Sequence, residues 1–175
     1  MVCTANRCRS PMAEALLRRR LEERSVPARV SSAGFLASGW PAMEYAIATM
    51  ADDGFDLTGH LSRTIRPQMV AESDLVVAMS RQHVVELLLL SPDRWSRVFQ
   101  LRDLVRRAER VGQRSGTEPI DAWLAAVGAN RSKSAVLAGS LADDIADPAG
   151  RDRDVYDSTK RILDDLLTRL AGLLG

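Results

Sequence analysis

The sequence predicts an α/β fold: a single three-layer domain with a four-stranded parallel sheet and helices on both of its faces. Short apolar segments alternate along the chain with segments of helical periodicity, as in strand–helix–strand units. The segment 73–80, SDLVVAMS, contains a continuous apolar run, as expected for a strand buried on both faces. A length of 175 residues fits one domain, and a hydrophobic content of 46% can supply an ordinary core.

The predicted elements follow one another along the chain. Only two residues precede Cys3, so the first strand is predicted to be truncated. Apolar residues at helical spacing predict a helix over 11–24, with Ser10 as its N-cap and a proline in its first turn. The further predicted elements are a strand at 28–34, a helix at 42–54, a strand at 73–80, a helix at 81–90, a strand at 97–101 and an amphipathic helix at 155–174.

Residues 102–145 do not fit this alternation. The segment is arginine-rich at first, polar around GQRSGTEP, and helical again near IDAWLAAV. Because we find neither an internal repeat nor a long linker, we interpret it as a helical insertion within one domain that covers 1–175.

The charge and the apolar content exclude several classes of protein. The formal net charge is +1, from 24 Lys and Arg against 23 Asp and Glu, so no overall field attracts nucleic acid or a membrane surface. The longest strongly apolar stretch, at 84–90, is far shorter than the ~20 residues that span a bilayer. With no recognisable signal peptide and only two closely spaced cysteines, we expect a cytoplasmic protein with reduced thiols and no nucleic-acid or membrane partner.

The start of the chain concentrates both cysteines and two arginines: Cys3, Arg7, Cys8 and Arg9. If residues 3–10, the opening loop, join a strand to a helix, their backbone N–H groups and the helix N-terminus can bind a phosphate. Arg9 adds a planar fork of donors that matches two phosphoryl oxygens. Cations and a helix N-terminus favour a thiolate, so Cys3 is a candidate nucleophile. The C-x5-R spacing alone would rather favour a buried cysteine and surface arginines.

The longer string CTANRCRSPMAEALL resembles the phosphate-binding loop of the low-molecular-weight protein tyrosine phosphatase family, C-x5-R-S followed by P-M-A-E. The resemblance continues in SSAG at 31–34, G-x-D-L-x-x-H-x-S-R at 54–63, SDLVVAMS at 73–80 and ADP at 146–148. It covers most of the chain except 102–145.

The resemblance implies a role for each matching residue. Cys3 attacks phosphorus and becomes a phosphocysteine, and Arg9 binds the equatorial oxygens. Ser10 donates a hydrogen bond that keeps the sulfur ionised, and Asn6 holds the loop in shape together with Ser32. The phosphate-binding residues are then the rest of the opening loop, namely Thr4, Ala5, Asn6, Arg7, Cys8 and Ser10.

The general acid and base implied by the family is Asp147. The acidic segment, residues 143–154, offers several carboxylates: Asp143, Asp144, Asp147, Asp152 and Asp154. Only Asp147 precedes a proline, which matches the D-P of the family. We expect it to protonate the departing phenolic oxygen and then to activate water.

The first strand departs from the family pattern. Members have an apolar central strand directly before the cysteine, whereas only Met1 and Val2 precede Cys3 here. Either this sequence starts downstream of the true start codon, or the first strand is a stub and the opening loop is less firmly held.

The segment after Asp147 also departs from the pattern, because family members often have aromatic residues there that contact the phosphotyrosine ring. Here Ala149 and Gly150 follow the proline. Phe35, Leu36 and Trp40 are candidates for the missing contact. Core packing is an equal possibility for Phe35, and Trp40 is expected on an exposed loop.

Two residues of the opening loop have open roles. Arg7 occupies a variable position that borders the leaving group, so it argues against a phosphoarginine substrate and suits an acidic phosphopeptide; a solvated arginine on the rim is the alternative. Cys8 could capture an oxidised Cys3 as a disulfide, as relatives with this pair are thought to do, or it is simply a small buried residue.

The predicted function is a cofactor-free and metal-free cysteine phosphatase that acts on phosphotyrosine in proteins, as a monomer or weak dimer. His60 and His83 lie far apart in sequence with no ligand cluster nearby, so no metal site is expected. An arsenate reductase on the same scaffold is an alternative, but its thioredoxin-coupled form needs further cysteines to relay the disulfide. A catalytically weak phosphate- or phosphopeptide-binding module is the other alternative.

Overall fold

The sheet is four-stranded and all-parallel, as predicted. The computed structural model describes all 175 residues. Its strands are β1 (Val2–Cys3), β2 (Ala33–Gly34), β3 (Val76–Ala78) and β4 (Val98–Gln100), in the order β2–β1–β3–β4. Val2 pairs with Ala33 on one side and with Ala78 on the other, so β1 lies in the interior of the sheet.

Two strands are much shorter than predicted. The strand expected over 28–34 is reduced to Ala33–Gly34, and the one expected over 73–80 to Val76–Ala78. β2 pairs with β1 in a ladder of two residue pairs, and β3 pairs with β4 in a ladder of three.

Eight helices surround the sheet. They are α1 (Arg9–Glu23), α2 (Glu44–Ala51), α3 (Pro67–Ala71), α4 (Arg81–Leu90), α5 (Leu101–Val111), α6 (Ile120–Val127), α7 (Lys133–Ala138) and α8 (Arg153–Leu174). The helices predicted over 11–24, 42–54, 81–90 and 155–174 are therefore all present, whereas α3 was not predicted. None of the eight combines the length and the apolar character that crossing a bilayer requires.

The strands bury both faces, which produces the three predicted layers. Alternate strand residues point to opposite sides. Cys3, Val77 and Phe99 join the larger core, whose other members come mainly from α1, α2, α5, α6 and α8. Val2, Val76 and Val98 join the smaller core with residues from α3, α4 and α7.

The segment 102–145 contributes to the larger core as well as to the surface. Leu104, Val105 and Ala108 of α5 are almost fully buried there, and so are Trp123 and Leu124 of α6. Whatever its evolutionary origin, this segment is part of the packing of the domain.

A groove borders the N-terminal end of β1, and we call it the N-terminal groove. It measures about 1250 Å³ and lies between the chain segments 26–33 and 72–77. The Met1 α-amino group lies at this groove and donates a hydrogen bond of 2.8 Å to the carbonyl oxygen of Ser31. Burial lowers the pKa of this amino group to about 6.

Gly34, at the end of β2, lies directly against the backbone of the opening loop. A Cβ atom at this position would stand 2.6 Å from the Asn6 nitrogen and 2.7 Å from the Thr4 oxygen. Backbone atoms that belong to a tight loop cannot move aside as a flexible side chain can. Position 34 therefore requires glycine.

Gly34→Ala is expected to lower the free energy of unfolding by about 1–3 kcal/mol, the usual cost of inserting a methyl group into a packed site. The matched control is Gly59→Ala, because no atom lies within 4 Å of a Cβ placed there. Urea unfolding of both variants tests this prediction. Equal stability of the two variants would contradict it.

Candidate active site

The opening loop connects β1 to α1 and leaves its backbone donors unused. No N–H group of residues 4–10 donates a hydrogen bond to another backbone atom or to a side chain. Buried or half-buried N–H groups nearly always have a partner, so a row of free donors at a helix N-terminus indicates an anion site. The backbone of the opening loop alone therefore supplies the donors of an anion site.

The sulfur of Cys3 lies in this loop beside Ser10. The two side chains are buried, and Cys3 Sγ is 3.0 Å from Ser10 Oγ. Ser10 Oγ also accepts a hydrogen bond of 2.9 Å from Asn6 Nδ2. The hydroxyl proton of Ser10 has two possible acceptors, the Cys3 sulfur at 3.0 Å and the Ala33 carbonyl oxygen at 3.5 Å, and the sulfur is the nearer.

Ser10 is therefore not the N-cap of α1, and that expectation was wrong. Helix α1 begins at Arg9, the residue at its N-cap position is Cys8, and no side chain caps the helix. The Ser10 hydroxyl is engaged with Cys3 and Asn6 instead, and the first N–H groups of the helix stay free.

Asn6 determines the shape of the opening loop. Its φ of 54° lies in the left-handed region, which asparagine tolerates better than most residues. Its Nδ2 donates to Ser32 Oγ at 2.8 Å, and its Oδ1 accepts from the Arg63 backbone N–H at 2.8 Å. The Nε2 of His60 contacts its backbone oxygen at 2.7 Å. The loop is thus tied to two other segments of the chain.

Arg9 lies buried beside the loop, and one donor of its guanidinium group has no hydrogen-bond partner. Its Nη1 donates to the Ile145 carbonyl oxygen at 3.0 Å, and its Nη2 donates to Asp147 and, at 3.3 Å, to Thr4 Oγ1. Its Nε is buried without a partner. This nitrogen is a further donor that can bind a phosphoryl oxygen.

Asp147 is the carboxylate of the acidic segment that reaches the loop. Asp143 is paired with Arg106, and Asp144 accepts from Arg81 N and Gln100 Nε2. Asp152 and Asp154 are exposed to solvent. The side chain of Asp147 is 43% exposed, so it can contact Arg9 and still face an incoming substrate.

The surroundings of Cys8 favour its protonated thiol over the thiolate. Its thiol donates a hydrogen bond to Met43 Sδ at 3.1 Å. The Tyr156 hydroxyl also donates to Met43 Sδ, at 3.2 Å. Burial, followed by the nearby Cys3 thiol, raises the pKa of Cys8 to about 12. Both cysteines are free thiols.

Arg7 and Trp40 form one rim of the site. Arg7 Nε donates to the Pro41 carbonyl oxygen at 2.8 Å, and its guanidinium carbon lies 5.7 Å from the centre of the Trp40 ring. Trp40 is 58% exposed, on an irregular segment as expected. Leu36 is also exposed, whereas the ring of Phe35 stacks on His83.

Sequence reasoning missed several supporting residues. Arg63 donates to the Ser32 carbonyl oxygen, and Ser32 in turn donates to Glu14 at 2.6 Å. His60 and Arg63 were visible as letters of the motif at 54–63, but nothing in that motif showed that they hold Asn6. His83 was considered only as a metal ligand, and no three metal-binding side chains come together anywhere in the structure.

Comparison with known proteins gives a consistent result. Residues 1–119 match the model of the family described as low molecular weight phosphotyrosine protein phosphatase. The chain is 37% identical over 105 residues to the probable low molecular weight protein-tyrosine-phosphatase EpsP of Ralstonia solanacearum, covering 59% of this chain and 70% of the relative. It is 28% identical over 172 residues to the protein-arginine-phosphatase of Bacillus subtilis, covering 97% and 91%.

Solved structures resemble nearly the whole chain. The low molecular weight protein tyrosine phosphatase from T. tengcongensis superimposes with a TM-score of 0.72, at 26% identity, over 97% of this chain and 93% of that one. A cysteine-to-serine mutant of YwlE arginine phosphatase, with a phosphorylated active site serine, superimposes with a TM-score of 0.73 at 27% identity, over 97% and 90%.

Iodoacetate at pH 7 is expected to alkylate Cys3 and to leave Cys8 unmodified. The reagent is an anion that the opening loop can bind, whereas burial raises the pKa of the Cys8 thiol to about 12 and keeps it protonated. Peptide mass mapping identifies the labelled residue, and inorganic phosphate should slow the labelling. The matched controls are Cys8→Ala, which should still take one label, and Cys3→Ser, which should take none. Labelling of Cys8 in the folded protein would contradict the prediction.

Proposed function

The chain belongs to the low molecular weight phosphotyrosine protein phosphatase family and is therefore a phosphatase, and we propose that it hydrolyses phosphotyrosine in proteins through a phosphocysteine at Cys3. The observation that carries this proposal is the opening loop, which begins at Cys3 and whose backbone N–H groups at residues 4–10 have no partner in the protein. Arg9 contacts Thr4 of the same loop through Nη2 and keeps its Nε unpaired. These are the groups that a phosphate monoester needs for binding and for attack.

Substrate binding uses the free donors of the loop. The phosphoryl oxygens accept hydrogen bonds from the N–H groups of residues 4–10 and from the Arg9 fork. Asp147 contacts Arg9 Nη2 in the structure, so the phosphoryl group takes over that nitrogen and the Asp147 carboxyl turns towards the leaving oxygen. The Arg9 guanidinium is held in place by the Ile145 carbonyl oxygen at 3.0 Å.

Attack forms the bond between Cys3 Sγ and phosphorus while the bond from phosphorus to the phenolic oxygen breaks. The Ser10 hydroxyl, 3.0 Å from the sulfur, donates to the thiolate and stabilises it both before attack and when it leaves again. Protonated Asp147 gives its proton to the phenolic oxygen. The resulting carboxylate then takes a proton from water, whose oxygen attacks phosphorus and releases inorganic phosphate and the Cys3 thiolate.

The leaving group lies against the rim formed by Arg7 and Trp40. Ala149 and Gly150 supply no aromatic ring beside Asp147, whereas the exposed ring of Trp40 contacts Arg7 of the opening loop. An aromatic ring can pack on its face, and Arg7 adds a positive charge that favours acidic residues beside the phosphotyrosine.

Phosphoarginine is the second candidate substrate. It is favoured by one observation, namely that the arginine phosphatase of B. subtilis matches 97% of this chain, whereas EpsP matches 59%. Arg7 opposes it, because the guanidinium of a phosphoarginine would approach the guanidinium of Arg7 at the leaving-group side. We therefore place phosphotyrosine first.

Cys3→Ser is expected to abolish hydrolysis of p-nitrophenyl phosphate, because a serine hydroxyl is a far weaker nucleophile than a thiolate. Asp147→Asn should lower kcat by about 10²–10⁴-fold, the usual contribution of a general acid. The matched control is Asp154→Asn, since Asp154 is exposed in the acidic segment and makes no contact with the opening loop. Steady-state kinetics at mildly acidic pH test all three. Phosphate analogues bound without turnover by the wild-type protein would instead indicate a binding module.

Two peptides of one sequence, with phosphotyrosine or phosphoarginine at the same position, separate the two substrate classes. The wild-type protein is expected to have at least a tenfold higher kcat/KM for the phosphotyrosine peptide. Arg7→Ala should reduce this preference by about tenfold, because it removes a like charge from the leaving-group side. Faster release of phosphate from phosphoarginine by the wild-type protein would reverse the assignment of substrate.

A further inference from the structure

His83 belongs to α4 but contacts the opening loop, 79 residues away along the chain. It lies in the first turn of the helix and is only 3% exposed. Its ring stacks on Phe35, with the ring centres 5.9 Å apart and the planes at 16°. This packing fixes the plane of the imidazole and hence the direction of both ring nitrogens.

Both ring nitrogens are engaged by hydroxyl groups. Nδ1 is 2.9 Å from Ser80 Oγ, which also accepts a hydrogen bond from the His83 backbone N–H. Nε2 is 2.9 Å from Thr4 Oγ1. A buried histidine needs one partner for each nitrogen, and here the second partner is an exposed side chain of the opening loop.

The imidazole is neutral at physiological pH. Burial and the nearby Arg9 guanidinium lower the pKa of His83 to about 4, against a smaller opposing effect of Asp147. A neutral ring offers one donor and one acceptor, which suits two hydroxyl partners. It also adds no positive charge beside Arg9.

Thr4 connects this histidine to the phosphate-binding arginine. Its Oγ1 accepts a hydrogen bond of 3.3 Å from Arg9 Nη2, the same nitrogen that donates to Asp147. When Asp147 turns away to the leaving group, Thr4 is the remaining side-chain partner of that nitrogen. An exposed threonine is free to rotate about χ1 unless another group holds its hydroxyl.

We propose that His83 is a positioning residue which, by holding the Thr4 hydroxyl, keeps the Arg9 guanidinium oriented towards the phosphoryl group. The inference rests on the proposed function only in that the bound group is a phosphate monoester. Ser80, through Nδ1, sets the direction in which Nε2 points to Thr4. The arrangement assigns a function to a threonine and a histidine that the steps of hydrolysis leave unused.

Four variants of the full chain test the proposal. His83→Asn places its amide near the position of Nδ1, so it keeps the contact with Ser80 and loses the contact with Thr4. His83→Gln places its amide near the position of Nε2 and can keep the contact with Thr4. Thr4→Val removes the hydroxyl at nearly constant volume. Gln82→Ala is the control, because Gln82 is exposed on the same helix and contacts only Glu86.

Affinity for inorganic phosphate is measured by titration calorimetry, with KM and kcat for p-nitrophenyl phosphate alongside. His83→Asn and Thr4→Val should each weaken phosphate binding by about tenfold, the effect of one lost hydrogen bond. His83→Gln should stay within about threefold of the wild type, and Gln82→Ala should not change. The double variant Thr4→Val/His83→Asn should bind no more weakly than either single variant, since both remove one and the same contact.

The cycle distinguishes positioning from a purely structural role. If His83 served only to stabilise α4, His83→Asn and Thr4→Val would act independently and their losses would multiply, which would overturn the proposal. Unchanged phosphate affinity in Thr4→Val would also overturn it, and because Thr4 is exposed this variant leaves no cavity in the core. Because phosphate binding requires no turnover, a wild-type protein that binds phosphate without hydrolysing the ester would refute the proposed function alone.

Discussion

The backbone of the opening loop must keep its N–H groups away from internal acceptors, and much of the structure around it serves this end. An unpaired donor costs free energy in a folded protein unless water or a ligand completes it. The loop does not relax into a more satisfied conformation because Asn6 is held on three sides, by Ser10, Ser32 and the backbone of Arg63. A loop with unused donors is therefore stabilised by the polar side chain of one residue.

The sheet and the loop depend on each other through their close packing. Gly34 on β2 packs against the backbone of the loop. A Cβ atom added to it would lie less than 3 Å from the backbone atoms of Thr4 and Asn6, so there is no room for a side chain between strand and loop. On the opposite side, Arg9 reaches the Ile145 carbonyl oxygen and Asp147, which bring the acidic segment into the site from the far end of the chain. Cys3, Arg9 and Asp147 thus come from two segments of the chain, and the second is held by the bond from the Ile145 N–H to the Met79 carbonyl oxygen and by the pairing of Asp143 with Arg106 of α5.

Much of this arrangement could be predicted from sequence, and the limits of prediction have physical causes. Helical periodicity placed α1, α4 and α8 correctly because each buries one face in a hydrophobic core, α1 and α8 in the larger one and α4 in the smaller one. Strand lengths could not be predicted, since they depend on how many residues the neighbouring strand offers for pairing. Ser10 had the residue type of an N-cap, but the loop uses its hydroxyl for the sulfur instead. The link between Thr4 and His83 joins two segments whose proximity is a property of the parallel sheet, and no local pattern encodes it.

The position of the Met1 amino group bears on how the protein can be tagged for purification. It lies at the N-terminal groove beside the Ser31 carbonyl oxygen, directly before the central strand, whose second residue is Cys3. Any residue placed before Met1, in a tag or in a longer form of the chain, would turn this amine into a peptide N–H and continue the chain from the groove. Such residues would lie at the start of the strand that ends at Cys3, so a tag is not a neutral addition at this terminus.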